Sequence, residues 1–253
     1  MMHQTPEFNK HEVVWNQEKI NRFWDYFVAN KGLLDLSYAK EVGDVVVKYT
    51  KCHLKKNGKN LDYGCGGGGL MAHLFKEGYP CEGRDTSVDS VQTCRKRFAH
   101  ETLFRGADLL QGMPDLTLAS AAYDMVYSLE MVEHVPIDVL PYVLAELYRI
   151  VKPDGCVFIT TPNKENLDKY KVICPDCGCI FHRVQHVNRF TDAKLRELME
   201  HAGFTTLRCE GTYMQKDKNV FYGAKRIFNK AESFLTGKKL ANPHLVYLGR
   251  RAV

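Results

Sequence analysis

Five of the six residues from Gly64 to Gly69 are glycine, Cys65 being the exception, and no other stretch restricts the fold so severely. Glycine reaches positive φ without a Cβ penalty and lets the backbone approach a ligand closely. The turn is entered through the strand-like Asn60-Leu61-Asp62-Tyr63. It is left through Leu70-Met71-Ala72-His73-Leu74-Phe75, which reads as a helix. Strand, glycine turn and helix N-terminus in that order make a nucleotide-type binding corner. A P-loop would need Gly-Lys-Ser/Thr after the glycines, and Leu70-Met71 follows Gly69 instead. A dinucleotide corner stays open on this stretch alone, because Asp85 after the next strand would serve its ribose. Asp62 before the turn and Asp108 after the third strand add two more acids, which a phosphate cradle would not want.

Around this turn the chain alternates strand and helix. Helical spacing of Ile20, Phe23, Trp24 and Phe27 predicts an amphipathic helix within 13–30, and residues 37–49 predict a second. After the glycines come strands at 80–85, 103–108, 123–128 and 156–161, with helices at 87–99 and 139–151 between them. Thr191 caps a helix that ends at Gly203, and strands at 204–209 and 244–250 close the pattern. Alternation at this spacing predicts a parallel sheet covered by helices on both faces.

These motifs resemble the class I S-adenosylmethionine-dependent methyltransferases. Leu61-Asp62-Tyr63-Gly64-Cys65-Gly66-Gly67-Gly68 matches their first motif, and Gly83-Arg84-Asp85-Thr86-Ser87 the acid of the second strand. Ala107-Asp108-Leu109, Tyr123-Asp124-Met125-Val126-Tyr127-Ser128 and the run from Leu147 to Gly155 match in order. The resemblance implies an α/β, Rossmann-like fold with a seven-stranded, mostly parallel sheet. An N-terminal helical cap over 1–50 precedes a methyltransferase domain over 51–253, with a Cys/His insertion at about 164–190 and a basic insertion at about 213–243. It implies S-adenosylmethionine as cofactor, with Gly64, Cys65, Gly66 and Gly68 beside its methionine part and Asp62 near its amino group. Asp85 and Thr86 would serve the ribose, Asp108 and Leu109 the adenine, and Ser128 and Glu130 the end of the fourth strand. Arg84 departs from the family's aliphatic residue, which implies a partly exposed strand edge.

Two clusters bear on the acceptor. Ser128-Leu129-Glu130-Met131-Val132-Glu133-His134-Val135 resembles the ubiquinone-biosynthesis O-methyltransferases, which implies a divalent cation at Glu130, Glu133 and His134. Two carboxylates and an imidazole could lower the pKa of a coordinated hydroxyl; His134 acting without metal, as a general base, is the other reading. The expected catalytic set is His134, Glu130 and His186. In Cys174-Pro175-Asp176-Cys177-Gly178-Cys179-Ile180-Phe181-His182 the Cys-Pro-x-Cys-Gly turn suits a zinc knuckle. Its expected ligands are Cys174, Cys177, His182 and His186, in a compact structural site. The alternative places His186 in the substrate cleft and Cys179 in the zinc shell. The loop follows the fifth strand and should roof the pocket.

Nine cysteines, an odd and mostly dispersed set, suit a reducing cytoplasm better than a disulfide framework. No apolar run approaches the ~20 residues of a membrane span. A net charge of +5 favours anionic partners, while aromatic-basic interleaving of the kind a nucleic-acid strand needs is absent. The expected function is methyl transfer to an oxygen of a small, anionic metabolite or surface-sugar precursor. Transfer to nitrogen, an RNA methyltransferase and a non-catalytic S-adenosylmethionine-binding subunit are the alternatives.

Overall fold

The computed structural model describes residues 8–30, 38–214 and 243–252. Strand β1 (His11–Glu12) precedes helix α1 (Gln17–Ala29), whose first turn is capped by Asn16 accepting the Lys19 amide at 2.9 Å. Helix α2 (Tyr38–Thr50), strand β2 (Asn60–Tyr63), helix α3 (Gly69–Lys76) and strand β3 (Cys81–Asp85) follow. Helix α4 (Val88–Arg97) is capped by Ser87, and strands β4 (Phe104–Leu109) and β5 (Tyr123–Leu129) lead to helix α5 (Leu140–Ile150). Strand β6 (Val151–Pro162), the hairpin β7 (Lys171–Ile173) and β8 (Cys179–His182), helix α6 (Asp192–His201), and strands β9 (Phe204–Thr212) and β10 (His244–Arg251) complete the order.

The main sheet has seven strands in the order β4-β3-β2-β5-β6-β10-β9, parallel except that β10 runs antiparallel to both neighbours. The expected architecture is the one observed. Every residue of β5 is buried, as a central strand covered on both faces requires. Strict alternation sorts the core into two layers. Tyr127, Phe158 and Leu248 pack with α2 and α3 through Val46, Leu70 and Leu74. Val126, Ile159 and Tyr247 pack with α5 and α6 through Leu144, Leu147 and Met199. The second helix of the segment read as an N-terminal cap thus contributes Val42, Val46 and Val47 to a core layer.

Arg84 corrects an expectation. It is only 5% exposed, on a strand one in from the sheet edge, and its guanidinium meets Glu82 at 2.7 Å and Asp108 at 3.2 Å. A buried arginine is tolerated where its charge is paired. A second, three-stranded sheet has the order β1-β8-β7, so the N-terminal strand adds to the edge of the insertion hairpin. The basic segment with Lys216, Lys218, Lys225, Arg226 and Lys230 lies outside the described residues. Among the described residues no helix is long and apolar enough to cross a membrane.

Candidate active site

The carboxyl ends of β2, β3 and β5 open onto one cavity of about 410 Å³, the place where open α/β sheets hold ligands. Its floor is the glycine turn. Gly64, Gly66 and Gly68 have φ of 87°, 49° and 76°, a region glycine enters freely. They do different work. A Cβ on Gly66 would meet nothing within 4 Å and would project into open space. A Cβ on Gly68 would lie 2.4 Å from the Phe98 ring and 3.0 Å from Cys94 Sγ, so Gly68 lets α3 pack.

Asp85 is fixed by two amides, Gly66 N–H to Oδ2 at 2.8 Å and Ser87 N–H to Oδ1 at 2.9 Å. Each oxygen keeps a lone pair for a ligand hydroxyl. Burial raises the Asp85 pKa, and the amides of Ser87, Gly66 and Thr86 partly oppose it. Asp62 is buried beside it, and burial, then the Asp85 charge, raises it to about 7. Asp62, Gly64, Cys65, Gly66, Asp85 and Thr86 all line the cavity.

Four expected cofactor contacts do not line it, Gly68 among them. Asp108 and Leu109 border a neighbouring groove of about 280 Å³ with Arg84 and Arg95. Arg84 and Asp108 are register partners on β3 and β4, and the arginine captures the acid together with Arg95. Leu110, one residue on, lines the cavity instead. Ser128 is fully buried within β5, away from the cavity wall.

Opposite the glycine turn the chain leaves β5 through Glu130, whose φ of 48° is left-handed. Such a conformation costs a non-glycine residue roughly 1–3 kcal/mol. Its N–H is held by the Thr160 carbonyl at 2.9 Å, and a short 3-10 turn, Val132–His134, follows. Glu133 accepts the Thr161 hydroxyl on Oε2 at 2.9 Å. Its Oε1 is buried without a hydrogen-bond partner, 3.9 Å from His134 Nε2 and 4.0 Å from His186 Nε2.

The two rings are oriented by what their other nitrogens face. His186 Nδ1 meets Glu165 Oε2 at 2.5 Å, and His134 Nδ1 meets the Gln185 carbonyl at 3.4 Å. Both partners can only accept, so each Nδ1 carries the proton and each Nε2 presents a bare lone pair. Two imidazole nitrogens and one carboxylate oxygen thus converge in a form that suits a divalent cation, each backed by an oxygen that orients it. The sequence reading had Glu130 in place of His186. Glu130 stands outside the triangle, with Oε1 also buried and unpartnered. Burial raises Glu130 to about 7; burial, then the Glu130 charge, raises Glu133 well above its ordinary value; burial, then His186, lowers His134 to about 3.

Glu165, His182 and His186 form a second close group. His182 Nδ1 accepts the backbone amides of His186 at 3.2 Å and Val184 at 3.4 Å, so its Nε2 carries the proton. That nitrogen lies 3.7 Å from Glu165 Oε1 and is buried without a hydrogen-bond partner. Above the cluster, Trp24 of α1 rests edge-on against His134 with centroids 4.7 Å apart and donates Nε1–H to Gln185 Oε1 at 3.0 Å. Glu165 and Gln185 had no signal in the sequence, since both lie in the insertion and act through neighbours.

The expected zinc set of Cys174, Cys177, His182 and His186 is not brought together. Alternation along β8 puts Cys179 and Phe181 on one face and Ile180 and His182 on the other. The histidines turn to Glu165 and Glu133, and neither close metal-type group among the described residues includes a cysteine. The cysteines stay at the hairpin tip, where Cys174 N–H bonds the Cys179 carbonyl at 2.8 Å. His186 lines the cavity.

A family model described as a methyltransferase domain matches residues 16–208. The chain is 33% identical over 165 residues to a ubiquinone biosynthesis O-methyltransferase of Vibrio parahaemolyticus, covering 63% of this chain and 65% of that protein. It is 34% identical over 150 residues to the protein of that name from Neisseria meningitidis, covering 57% and 58%. The chain therefore spans somewhat less than two thirds of the length of these relatives. Among solved structures, a methyltransferase in complex with the Trm112 activator of Haloferax volcanii superposes with a TM-score of 0.62 at 17% identity, over 91% of this chain and 98% of that one. A 1,6-didemethyltoxoflavin N1-methyltransferase of Burkholderia thailandensis, solved with S-adenosylhomocysteine, gives 0.61 at 15% identity, over 95% and 92%. At such identities these two show a shared fold.

Proposed function

Because the chain belongs to the methyltransferase-domain family, we propose that it transfers a methyl group from S-adenosylmethionine to a hydroxyl of a small molecule, assisted by a divalent cation. The observation behind this reading is that the Gly66–Asp85 corner and the Glu133–His134–His186 triangle flank one cavity: Gly66, Asp85, His134 and His186 all line it. Oxygen is chosen as acceptor because the named relatives above are O-methyltransferases. A net charge of +5 supports an anionic metabolite, such as a surface-sugar precursor. Nine cysteines, all free, suit a reducing cytoplasm.

The residues fit the cofactor: Gly66 leaves room where a Cβ would stand, and Asp85 offers one free lone pair on each oxygen. The cofactor supplies an electrophilic methyl group on a positively charged sulfur. Asp85 and Thr86 would hold the ribose, and Asp62 the amino group. Glu133, His134 and His186 would hold the cation, whose charge lowers the pKa of a nearby hydroxyl. Glu130, at about 7, is poised to accept the acceptor proton near neutral pH. Ile20, Trp24 and Phe27 wall the cavity from above and limit water. The remaining requirement is alignment of the two reactants.

Two measurements test the reading. Titration calorimetry should show S-adenosylmethionine binding in the native protein and its loss in Asp85→Ala; near-normal affinity in the variant would sink the cofactor assignment. Formation of S-adenosylhomocysteine with small hydroxylated acceptors should fall on exhaustive chelation and return with a divalent ion. Cofactor binding without turnover on any acceptor in a cell extract would mark a non-catalytic binding subunit instead.

A further inference from the structure

Away from the cavity, the insertion hairpin holds metal-type side chains that the reading above leaves unused. Cys174 and Cys177 bracket a tight turn in which the backbone amides of Asp176 and Cys177 both aim at Cys174 Sγ. Amides directed at a sulfur suit a thiolate, and Cys-Pro-x-Cys-Gly provides that geometry in zinc knuckles. Gly178 follows at φ 78°, with its amide on the Cys174 carbonyl at 2.9 Å. Cys179 opens β8, and all three thiols are free.

A knuckle with three cysteines lacks a fourth ligand, and the topology provides one. The N-terminal segment zips along the hairpin: Asn9 N–H to the Cys177 carbonyl at 3.3 Å, His11 N–H to Gly178 at 3.2 Å, Val13 N–H to Ile180 at 2.9 Å. Gly178 makes the close approach feasible, since a Cβ there would lie 2.5 Å from the Asn9 carbonyl oxygen. His11 is the register partner of Cys179, and Cys174 lies across from Cys179 on the other side. Register neighbours point to the same face of a sheet. His11, Cys179 and Cys174 therefore stand in a row on one face, with Cys177 at the tip. The His11 Nδ1 faces the Asn9 carbonyl at 2.7 Å, which can only accept, so Nε2 is bare.

We propose that Cys174, Cys177, Cys179 and His11 bind one zinc ion, which staples the N-terminal strand to the insertion hairpin. Three thiolates and one imidazole are a closed structural donor set for Zn²⁺. The ligand atoms are more widely spread than those of the Glu133 triangle. Adjacent strands lie only about 4.8 Å apart, so side-chain rotation draws register neighbours toward a common ion. The staple sits four residues before α1, the helix that brings Trp24 onto His134. Holding β1 in place therefore holds the roof of the cavity. The site does not depend on the methyl-transfer reading, because its readout is metal content.

The test uses the full chain, purified under reducing conditions without added metal. Elemental analysis should give about one zinc per chain, retained in Glu133→Gln and lost in the double variant Cys174→Ser/Cys177→Ser. Cobalt exchanged into the native protein should show a tetrahedral spectrum with charge-transfer intensity of three thiolates. His11→Cys should keep the metal and raise that intensity to four thiolates, and His11→Ala should weaken zinc affinity at least tenfold. Native protein without zinc would overturn the proposal. So would zinc that is lost in Glu133→Gln and kept in the double cysteine variant, since the ion then belongs to the cavity. Unchanged zinc affinity and cobalt spectrum in His11→Ala would remove His11 from the site and overturn the staple.

Discussion

His186 donates its Nδ1–H to Glu165 across 2.5 Å, and this bond decides which nitrogen His186 turns toward Glu133. Burial alone would raise Glu165, but the hydrogen bond and charge of His186, with His182 and Arg183, outweigh it and hold its pKa low. The carboxylate therefore stays charged and keeps accepting. In Glu165→Gln the amide can donate as well as accept, so His186 loses its fixed tautomer. We expect divalent-ion affinity to fall about 10- to 100-fold, as for other orienting carboxylates. We also expect a displaced pH–rate profile, with partial recovery in Glu165→Asp. An unaltered profile and ion affinity would make Glu165 a packing residue.

Two glycines two residues apart should fail in different ways. Gly66→Ala places a methyl in open space, so its folding cost is the backbone term alone, on the order of 1 kcal/mol. Its main effect should be loss of S-adenosylmethionine binding. Gly68→Ala drives a methyl into Phe98 and Cys94, and should lower stability by a further 1–3 kcal/mol. Denaturant melts and calorimetry on both variants check this; equal losses of stability would refute the division of roles.

Asp108 is expected to matter for the fold more than for the ligand. Asp108→Asn leaves Arg84 with Glu82 as its remaining carboxylate partner at 2.7 Å. Because Asp108 is half exposed, solvent already screens the pair, and a loss of about 1 kcal/mol is expected. Cofactor affinity should stay within about threefold, less than 0.7 kcal/mol. A tenfold or greater loss would return Asp108 to the binding site.

The ligand-free protein should lose stability as pH rises through neutrality, and Asp62 gives the sign. Burial, then Asp85, lifts Asp62 from 3.8 to about 7, so between those values the folded state keeps a proton that the unfolded state releases. Its contribution is fully present below about 4 and is lost as pH climbs through about 7. Asp62→Asn removes this dependence, by an amount on the order of 2–4 kcal/mol across the window. His134, with its lowered pKa, adds an opposite slope below its ordinary value, common to both proteins. The melting temperature of the wild type relative to the variant should therefore fall between pH 5 and pH 8. A constant difference would show that Asp62 is ionised throughout.

Much of the fold was legible because single positions decided it: the glycines at 64–69, the alternation of Val126 with Tyr127, the Thr191 cap. The glycine corner and Asp85 were legible for the same reason, since local geometry selects those residue types. The acceptor side was less so. His186 meets Glu133 only because the insertion folds back over β5, and no spacing in the sequence encodes that return. Asp108 faces Arg84 because register, not motif, set the two side by side. His182 was misplaced because three residues along a strand is an odd number, which reverses the face.

The left-handed backbone at Glu130 has a practical consequence for anyone improving this protein. A screen that rewards heat tolerance alone would favour Glu130→Gly, which relaxes φ and removes a buried, unpartnered carboxylate oxygen in one change. The hardier protein so obtained would have discarded a carboxyl group of near-neutral pKa from its own cavity. Directed evolution here needs turnover and melting temperature selected together.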